Sequence, residues 1–155
     1  MSFDEAADRV EEMMARIAEA AGVDADVVLE PDPQDGRLVA EYVGDDLGLL
    51  IGRHGQTIDA IQHLAYRLAT PGDADRISVV VDAAGYRERR AQTLRQTADQ
   101  AAQAAVAEGR PVPLEPMSAL ERKVIHEHLK ERRGIETYSE GQEPSRHLVV
   151  APVVS

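Results

Sequence analysis

The chain has 155 residues, of which 43% are hydrophobic, and it carries a formal net charge of −11 and no cysteine. The length suits one large domain or two small ones, and the missing cysteines exclude disulfides and thiolate metal sites. No segment approaches the roughly 18 apolar residues of a membrane span, and the N-terminus lacks the basic start of a signal peptide, so we expect a cytoplasmic protein without membrane insertion.

The negative charge is concentrated at the beginning of the chain. Residues 1–46 hold 14 acidic and 3 basic side chains, whereas residues 47–155 hold 14 of each. The excess therefore lies before Leu47, and the neutral remainder has room for local basic patches. A nucleic-acid ligand is compatible with this distribution if the acidic part faces away from it.

The first 84 residues have the pattern of an α+β domain, a three-stranded sheet covered by helices. Apolar periodicity, the Asp35-Gly36 turn and the Pro71-Gly72 break divide this part into elements. The predicted elements are helices over residues 3–21, 46–51 and 56–69 and strands over residues 26–30, 37–43 and 76–82. The helix over residues 56–69 is expected to pack on the sheet through Ile58, Ile61, Leu64, Ala65 and Leu68.

One long helix follows this first domain. Residues 85–108 are rich in alanine and glutamine, and Gly109-Arg110-Pro111 ends the helical pattern. The apolar stripe of this helix consists mainly of small side chains with little area to bury. The pattern is therefore typical of a partly solvated linker.

The remaining segment predicts a small α/β module. Ser118 and Glu121 have the spacing of a capping box, which starts a helix running to about Arg132. Residues 135–139 and 146–151 predict a β-hairpin. Because about 40 residues are marginal for an independent core, we expect this module to pack against the long helix. The apolar side of the short helix is formed by Leu120, Val124, Ile125 and Leu129.

A Gly-x-x-Gly turn separates the two later helices of the first domain. Gly52 and Gly55 let the backbone bend sharply, and the N–H groups that open the following helix point at whatever approaches. With Arg53 and His54 between the glycines, the expected ligand is an anion such as a sugar-phosphate backbone, and a plain tight turn is the alternative. Gln56 follows Gly55 where a nucleotide-binding P-loop would carry lysine, which disfavours a nucleotide site.

A second set of cations recurs along the helix that begins at Ser118. Spacings of four, four and three place this set on one predicted exposed ridge, which consists of Arg122, His126, Lys130 and Arg133. Arg146 and His147 on the last strand extend the ridge. Clustered cations suit phosphate contact, whereas an ordinary solvated helix face is the alternative interpretation.

These motifs together resemble a known family. Leu50 to Gln62, followed by Gly85-Tyr86-Arg87, closely resembles the KH domain of the bacterial Jag (SpoIIIJ-associated) family. The later part resembles that family's C-terminal R-three-H domain, which is named for an Arg-x-x-x-His pair, here Arg122 and His126. The segments that carry this second resemblance are residues 121–126, 136–141 and 144–147. The likeness covers nearly the entire chain.

The resemblance implies a domain order and a function. It implies a prokaryotic-type (type II) KH domain over residues 1–84, a linker helix over residues 85–109 and a small α/β R-three-H domain over residues 110–155. It also implies an RNA-binding regulator linked to cell elongation and envelope control, with no enzymatic activity. Members of the family often carry an additional N-terminal Jag domain, whereas this sequence begins directly at the KH helix.

Single-stranded RNA is the expected partner, with single-stranded DNA as an alternative ligand of the C-terminal domain. The expected contact residues are Gly52, Arg53, His54, Gly55, Gln56, Arg122, His126, Lys130 and Arg146. An apolar groove floor is expected from Leu50, Ile51, Ile58 and residues 77–81. The alternative function is a protein-interaction scaffold that dimerises through its KH domain, with itself or with a small partner KH protein, and contacts nucleic acid only incidentally.

Metal binding and catalysis are disfavoured by the sequence. His126 and His128 lie two residues apart on a predicted helix and therefore point to different sides. His126 and Glu127 have no nucleophile or paired carboxylate in evident register for a hydrolytic reaction. We therefore expect no cofactor, no metal and no catalytic residue.

Overall fold

Two sheets, each with its own helices and core, are formed in the computed structural model, which describes residues 1–72 and 76–154. The chain divides after Arg87, so that Met1–Arg87 is one unit and the residues from Glu88 onward are the other. Both units mix helices with a three-stranded sheet, which confirms the predicted α+β class. Within the described residues no helix combines the length and the hydrophobicity that a membrane crossing requires.

Over its described residues, the first unit contains a mixed sheet, three α-helices and a 3-10 turn at Arg53–Gly55. Strand β2 lies in the centre, antiparallel to β1 and parallel to β3. A parallel neighbour requires a crossover connection, and the two helices between β2 and β3 supply it. In chain order the elements are α1 Phe3–Ala20, β1 Asp26–Asp32, β2 Arg37–Val43, α2 Gly48–Ile51, α3 Gln56–Ala69 and β3 Ser78–Ala83.

Helix α1 covers the sheet with a stripe of buried residues. Val10, Met14 and Ala18 follow one another at intervals of four, and all three are buried. The Met14 carbonyl accepts a hydrogen bond of 2.6 Å from the hydroxyl of Tyr42, a fully buried residue of β2. Burial raises the pKa of Tyr42 to about 12. One polar group of the core is thereby satisfied, and α1 is joined to the sheet centre.

Helix α3 packs on the sheet through three of the five predicted residues and one that was not predicted. Its buried residues are Ile58, Ile61, Ala65 and Ala69. Leu64 and Leu68 were wrongly assigned to this face, since they are 50% and 36% exposed. The two alanines permit a close approach of helix and strand, and the larger leucines lie on the neighbouring row of the helix surface.

The second unit is built on the long helix and an antiparallel sheet. Strand β6 is central, with β4 on one side and β5 on the other. Strand β4 is only two residues long and was not predicted, because so short a segment shows no alternation of polarity. The elements are α4 Tyr86–Glu108, β4 Val112–Pro113, α5 Ala119–Leu129, β5 Ile135–Glu140 and β6 His147–Pro152.

Helix α4 contributes its small apolar residues to the second core. Leu94, Ala98, Ala101, Ala102 and Ala105 are buried. They share one cluster with residues of α5 and the sheet, namely Ile125, Leu129, Ile135, Leu148 and Val150. The expectation that the C-terminal module packs against the long helix is confirmed. From Glu88 onward the predicted linker supplies one side of this core.

Helix α5 is shorter than predicted, and three of its four predicted apolar residues pack in the core. It ends at Leu129 rather than near Arg132. Its buried residues are Arg122, Ile125 and Leu129, at spacings of three and four. Leu120 was wrongly placed on the apolar side, since it is 64% exposed. An arginine thus occupies the inner position of the first turn, where the pattern had predicted a leucine.

Candidate nucleic-acid interface

The turn between α2 and α3 requires glycine at both motif positions. Gly52 has φ 75° and ψ 178°, a conformation that is essentially restricted to glycine. A Cβ atom on Gly52 would also overlap the side chain of Thr57. Gly55 has φ 77°, and a Cβ atom there would lie 2.7 Å from Cε1 of Tyr86. Both glycines are therefore required by the backbone path as well as by close neighbours.

The two residues between the glycines face solvent. Arg53 and His54 are both exposed, and His54 has a left-handed φ of 55°. Gly55 is the N-cap of α3, and as a glycine it supplies no side-chain cap to this helix end. The first N–H groups of a helix lack intrahelical partners and favour an anion. The turn thus combines two exposed basic side chains, exposed Gln56 and an uncapped helix N-terminus.

The predicted apolar floor beside the turn is mostly part of the core. Leu50 and Ile58 are fully buried, so both were wrong as groove residues, and Ile51 is only partly buried. Leu49, which the sequence analysis missed, is 70% exposed immediately before Leu50. Three consecutive apolar residues in a four-residue helix cannot all face inward, and that signal could have identified an exposed one.

Arg122 in the second unit is not on an exposed ridge. Its side chain is only 11% exposed and lies 2.8 Å from the Glu143 carboxylate. It also donates hydrogen bonds of 3.3 Å to the Met117 carbonyl and 3.2 Å to the Ser139 hydroxyl. The prediction was wrong because periodicity does not show which partner lies beneath a helix. Here β5 and the loop after it present acceptors to the guanidinium.

His126 lies one helical turn further on and remains exposed. Its Nδ1 atom is 2.6 Å from Oγ1 of Thr137. Thr137 and Ser139 lie on the same face of β5 because strand residues two apart share a face. Arg122 and His126, four residues apart on α5, therefore meet two neighbouring positions of one strand face.

Four exposed cations of α5 and the turn after it form a strip that differs from the prediction. Arg133 lies beyond the end of α5, in the turn before β5, and Arg146 donates a hydrogen bond of 2.7 Å to the Gly141 carbonyl. Lys123 was missed, although it lies three residues before His126 on α5. We define the exposed strip as Lys123, His126, Lys130 and Arg133, all of which face solvent.

The remaining basic groups of α5 and the following turn have an acidic partner. His128 Nε2 lies 2.9 Å from the Asp99 carboxylate of α4, and Arg132 Nη1 lies 3.3 Å from the same carboxylate oxygen. Positive charge on this side of the helix is partly neutralised. The exposed strip therefore carries a larger share of the accessible positive charge of α5.

The fold and both motifs define a two-domain protein of the KH and R-three-H class. The family described as KhpA/KhpB, KH domain matches residues 7–81, and the R-three-H domain family matches residues 92–152. The chain therefore combines the KH and R-three-H domains that the resemblance had indicated, and its relatives over most of its length are KhpB (Jag) family proteins.

Relatives in three organisms bear the name RNA-binding protein KhpB. The Clostridium symbiosum protein is 34% identical over 93% of this chain and 65% of the relative, and the Bacillus subtilis (strain 168) protein is 35% identical over 87% and 65%. The Lactiplantibacillus plantarum protein is 46% identical over 67% of this chain and 32% of the relative. The chain thus spans less than two thirds of the length of these relatives.

Proposed function

We propose that this protein is a cytoplasmic, non-enzymatic regulator that binds single-stranded RNA through both of its domains. The observation that carries the proposal is the Gly52–Gly55 turn, which exposes Arg53 and His54 at an uncapped helix N-terminus. Relatives that align with two thirds or more of this chain are named RNA-binding proteins. Post-transcriptional control linked to cell elongation and the envelope is the role we assign to this binding.

In the first domain the RNA backbone passes over the turn. A phosphate lies against the N-terminus of α3, whose dipole favours an anion, and Arg53 and His54 contribute charge beside it. Gly52 and Gly55 act through the backbone, since any side chain there would meet Thr57 or Tyr86. This division fits a strand held by its phosphates rather than by a platform of aromatic rings.

In the second domain the exposed strip contacts a second stretch of strand. His126 and Lys130 are the central contacts, with Lys123 and Arg133 beside them. Because Nδ1 of His126 faces Thr137, Nε2 is the ring nitrogen that we assign to the ligand. Arg122 holds α5 on β5, and Arg146 holds the β5–β6 turn. Two contacts on one chain raise affinity through effective concentration.

The test replaces both basic residues of the turn in the full chain. Arg53→Asp with His54→Asp should weaken binding to random single-stranded RNA at least about tenfold and reduce the salt dependence, because phosphate contacts are lost. Aspartate tolerates the left-handed backbone of His54, and both side chains are exposed, so the melting curve should stay nearly unchanged. Mobility shifts at two salt concentrations and circular dichroism measure the two effects.

A matched control carries the same change of residue types on the same domain. His63→Asp with Arg67→Asp alters two exposed residues further along α3 and changes the net charge equally. Loss of RNA binding in the turn variant alone supports the proposal. Equal loss in both variants would show that only net charge matters, and no loss in either would contradict a contact at the turn. Sizing chromatography beside the titration separates RNA binding from the scaffold alternative, which predicts a dimer without an RNA shift.

A further inference from the structure

The junction between β3 and α4 is tied to the sheet by several hydrogen bonds. Ala84 and Gly85 both have left-handed φ values, of 48° and 68°, so the chain turns sharply there. The Gly85 N–H donates to the Glu41 carboxylate of β2 at 3.2 Å. The Asp82 carboxylate accepts from the N–H groups of Ala83 and Arg87 at 2.8 and 3.2 Å. The path that leads into Tyr86 and Arg87 is therefore fixed by local hydrogen bonds.

Tyr86 lies directly against the Gly-x-x-Gly turn. The Cβ position of buried Gly55 would be 2.7 Å from Cε1 and 2.8 Å from Oη of Tyr86. The phenol ring therefore occupies the volume that a side chain on Gly55 would need. Because Gly55 is also the N-cap of α3, the ring supports the residue at which the turn becomes a helix.

Arg87 joins the edge strand to the same helix. Its Nε donates to the Val81 carbonyl at 2.8 Å, and its Nη1 lies 2.9 Å from the Asp59 carboxylate, one turn after Gly55 on α3. The Val81 N–H donates to Oε1 of Gln62, also on α3, at 3.0 Å. Both backbone groups of Val81 on the edge strand β3 are thus engaged by side chains, and α3 is held to that strand.

Tyr86 and Arg87 lie between the two matched domain ranges, although they also stand in the segment that carries the KH resemblance. The KH match ends at residue 81 and the R-three-H match begins at residue 92, whereas Tyr86 and Arg87 contact only residues of the first unit in the bonds and close approaches given above. We propose that Tyr86 and Arg87 are positioning residues that hold the Gly52–Gly55 turn and the start of α3 in the RNA-binding conformation. This inference rests on the proposed function. A turn held in advance does not have to be ordered when the ligand binds, which improves affinity.

The experiment combines Tyr86 variants with the turn variant in the full chain. Tyr86→Ala should weaken binding to random single-stranded RNA about tenfold, whereas Tyr86→Phe, which keeps the ring, should bind like the native chain. Tyr66→Ala removes a half-exposed tyrosine from α3 and serves as the control. In the background of Arg53→Asp with His54→Asp, Tyr86→Ala should have a much smaller further effect, because most of the binding through the turn is already lost. A purely structural role would lower affinity by the same factor in both backgrounds, and that result would overturn the proposal.

Amide hydrogen exchange separates failure of this inference from failure of the proposed function. The Gly55 N–H bonds to the Gly52 carbonyl and the Gln56 N–H to the Arg53 carbonyl. Tyr86→Ala should accelerate exchange of these two amides while the amides of α1 stay protected. If the turn variant binds RNA normally, the proposed function fails, but faster exchange of the Gly55 and Gln56 amides in Tyr86→Ala still supports positioning of the turn by Tyr86. Unchanged exchange of these amides in Tyr86→Ala overturns the positioning role.

Arg87→Lys keeps the charge but cannot reach both partners of Arg87, so it should give a smaller effect in the same direction. This variant tests the proposal if the Tyr86→Ala chain does not fold.

Discussion

The two candidate RNA contacts differ in which of their motif residues face solvent and which hold the structure. In the Gly52–Gly55 turn, the glycines set the backbone and the residues between them face solvent. In the α5 helix, the first residue of the Arg-x-x-x-His pair is itself engaged with Glu143 and Ser139. The charge that can meet a ligand there belongs to His126 and to neighbours outside the pair. A motif residue can therefore be conspicuous because it builds a site rather than because it contacts the ligand.

The difference predicts how each region fails when it is changed. The turn has a backbone conformation that few residues can adopt, so a small substitution there has a large structural cost. The exposed strip has ordinary helical backbone, so its residues can be exchanged with little effect on folding. Arg122 lies between these cases, because its backbone is ordinary but its side chain is buried.

The largest expected effect is that of Gly52→Ala. The substitution forces alanine into a nearly glycine-only conformation and into overlap with Thr57, and we expect a loss of about 3 kcal/mol or more in the free energy of unfolding of the first unit. Gly22→Ala is the matched control, because Gly22 also has a positive φ, of 70°, but no atom lies within 4 Å of its Cβ position. That variant should lose only about 1 to 2 kcal/mol. Urea unfolding measures both, and equal losses would contradict a steric requirement at Gly52.

A smaller effect is expected when Arg122 is compared with Lys130. Arg122→Met leaves the Glu143 carboxylate and the Met117 carbonyl without their donor and should cost about 2 kcal/mol of unfolding free energy in the second unit. Lys130→Met should cost less than about 0.5 kcal/mol, because Lys130 is exposed, yet it should weaken RNA binding and its salt dependence. If Arg122→Met were neutral in urea unfolding and weakened RNA binding as strongly as Lys130→Met, Arg122 would be a contact residue.

Local features of the sequence were sufficient for much of the fold. The bounds of α3 and β2 were predicted to the residue, because glycine, proline and a change of periodicity mark their ends. The sharp turn at Gly52–Gly55 could also be predicted locally, because glycine adopts a positive φ without steric cost. The KH and R-three-H domains were recognised from short motifs of this kind.

Features that depend on distant residues could not be predicted in this way. Glu143, the partner that neutralises Arg122, is 21 residues away in the chain. The burial of Ala69 in place of Leu68 depends on how closely α3 approaches the sheet, and the amphipathic pattern fits either residue. The roles of the individual contact residues stay predictions, which the RNA-binding measurements on their variants test.

The smallest expected effect distinguishes the two Ser-x-x-Glu sequences that begin α1 and α5. At α1, the Glu5 N–H donates to the Ser2 hydroxyl, and the Ser2 N–H donates to the Glu5 carboxylate at 2.7 Å. This second hydrogen bond is the main reason that the pKa of Glu5 lies below its usual 4.5. At α5, the Glu121 N–H donates to the Ser118 hydroxyl at 3.3 Å, but the Glu121 carboxylate lies 2.7 Å from Nε of Arg90.

Glu121→Gln should therefore lower the free energy of unfolding by about 1 kcal/mol, because it removes the charge opposite the mostly buried Arg90. Glu5→Gln should have a smaller effect. A lowered folded-state pKa means that the Glu5 contribution is present above pH 4.5 and is lost as the pH falls through the folded value. The difference between the native chain and Glu5→Gln should thus disappear in acid. Thermal unfolding of both variants at neutral and acid pH measures these differences. A Glu5→Gln difference that persists in acid would contradict the role of the ionised Glu5 carboxylate. Equal effects of Glu5→Gln and Glu121→Gln would show that the two helix starts use their glutamates alike.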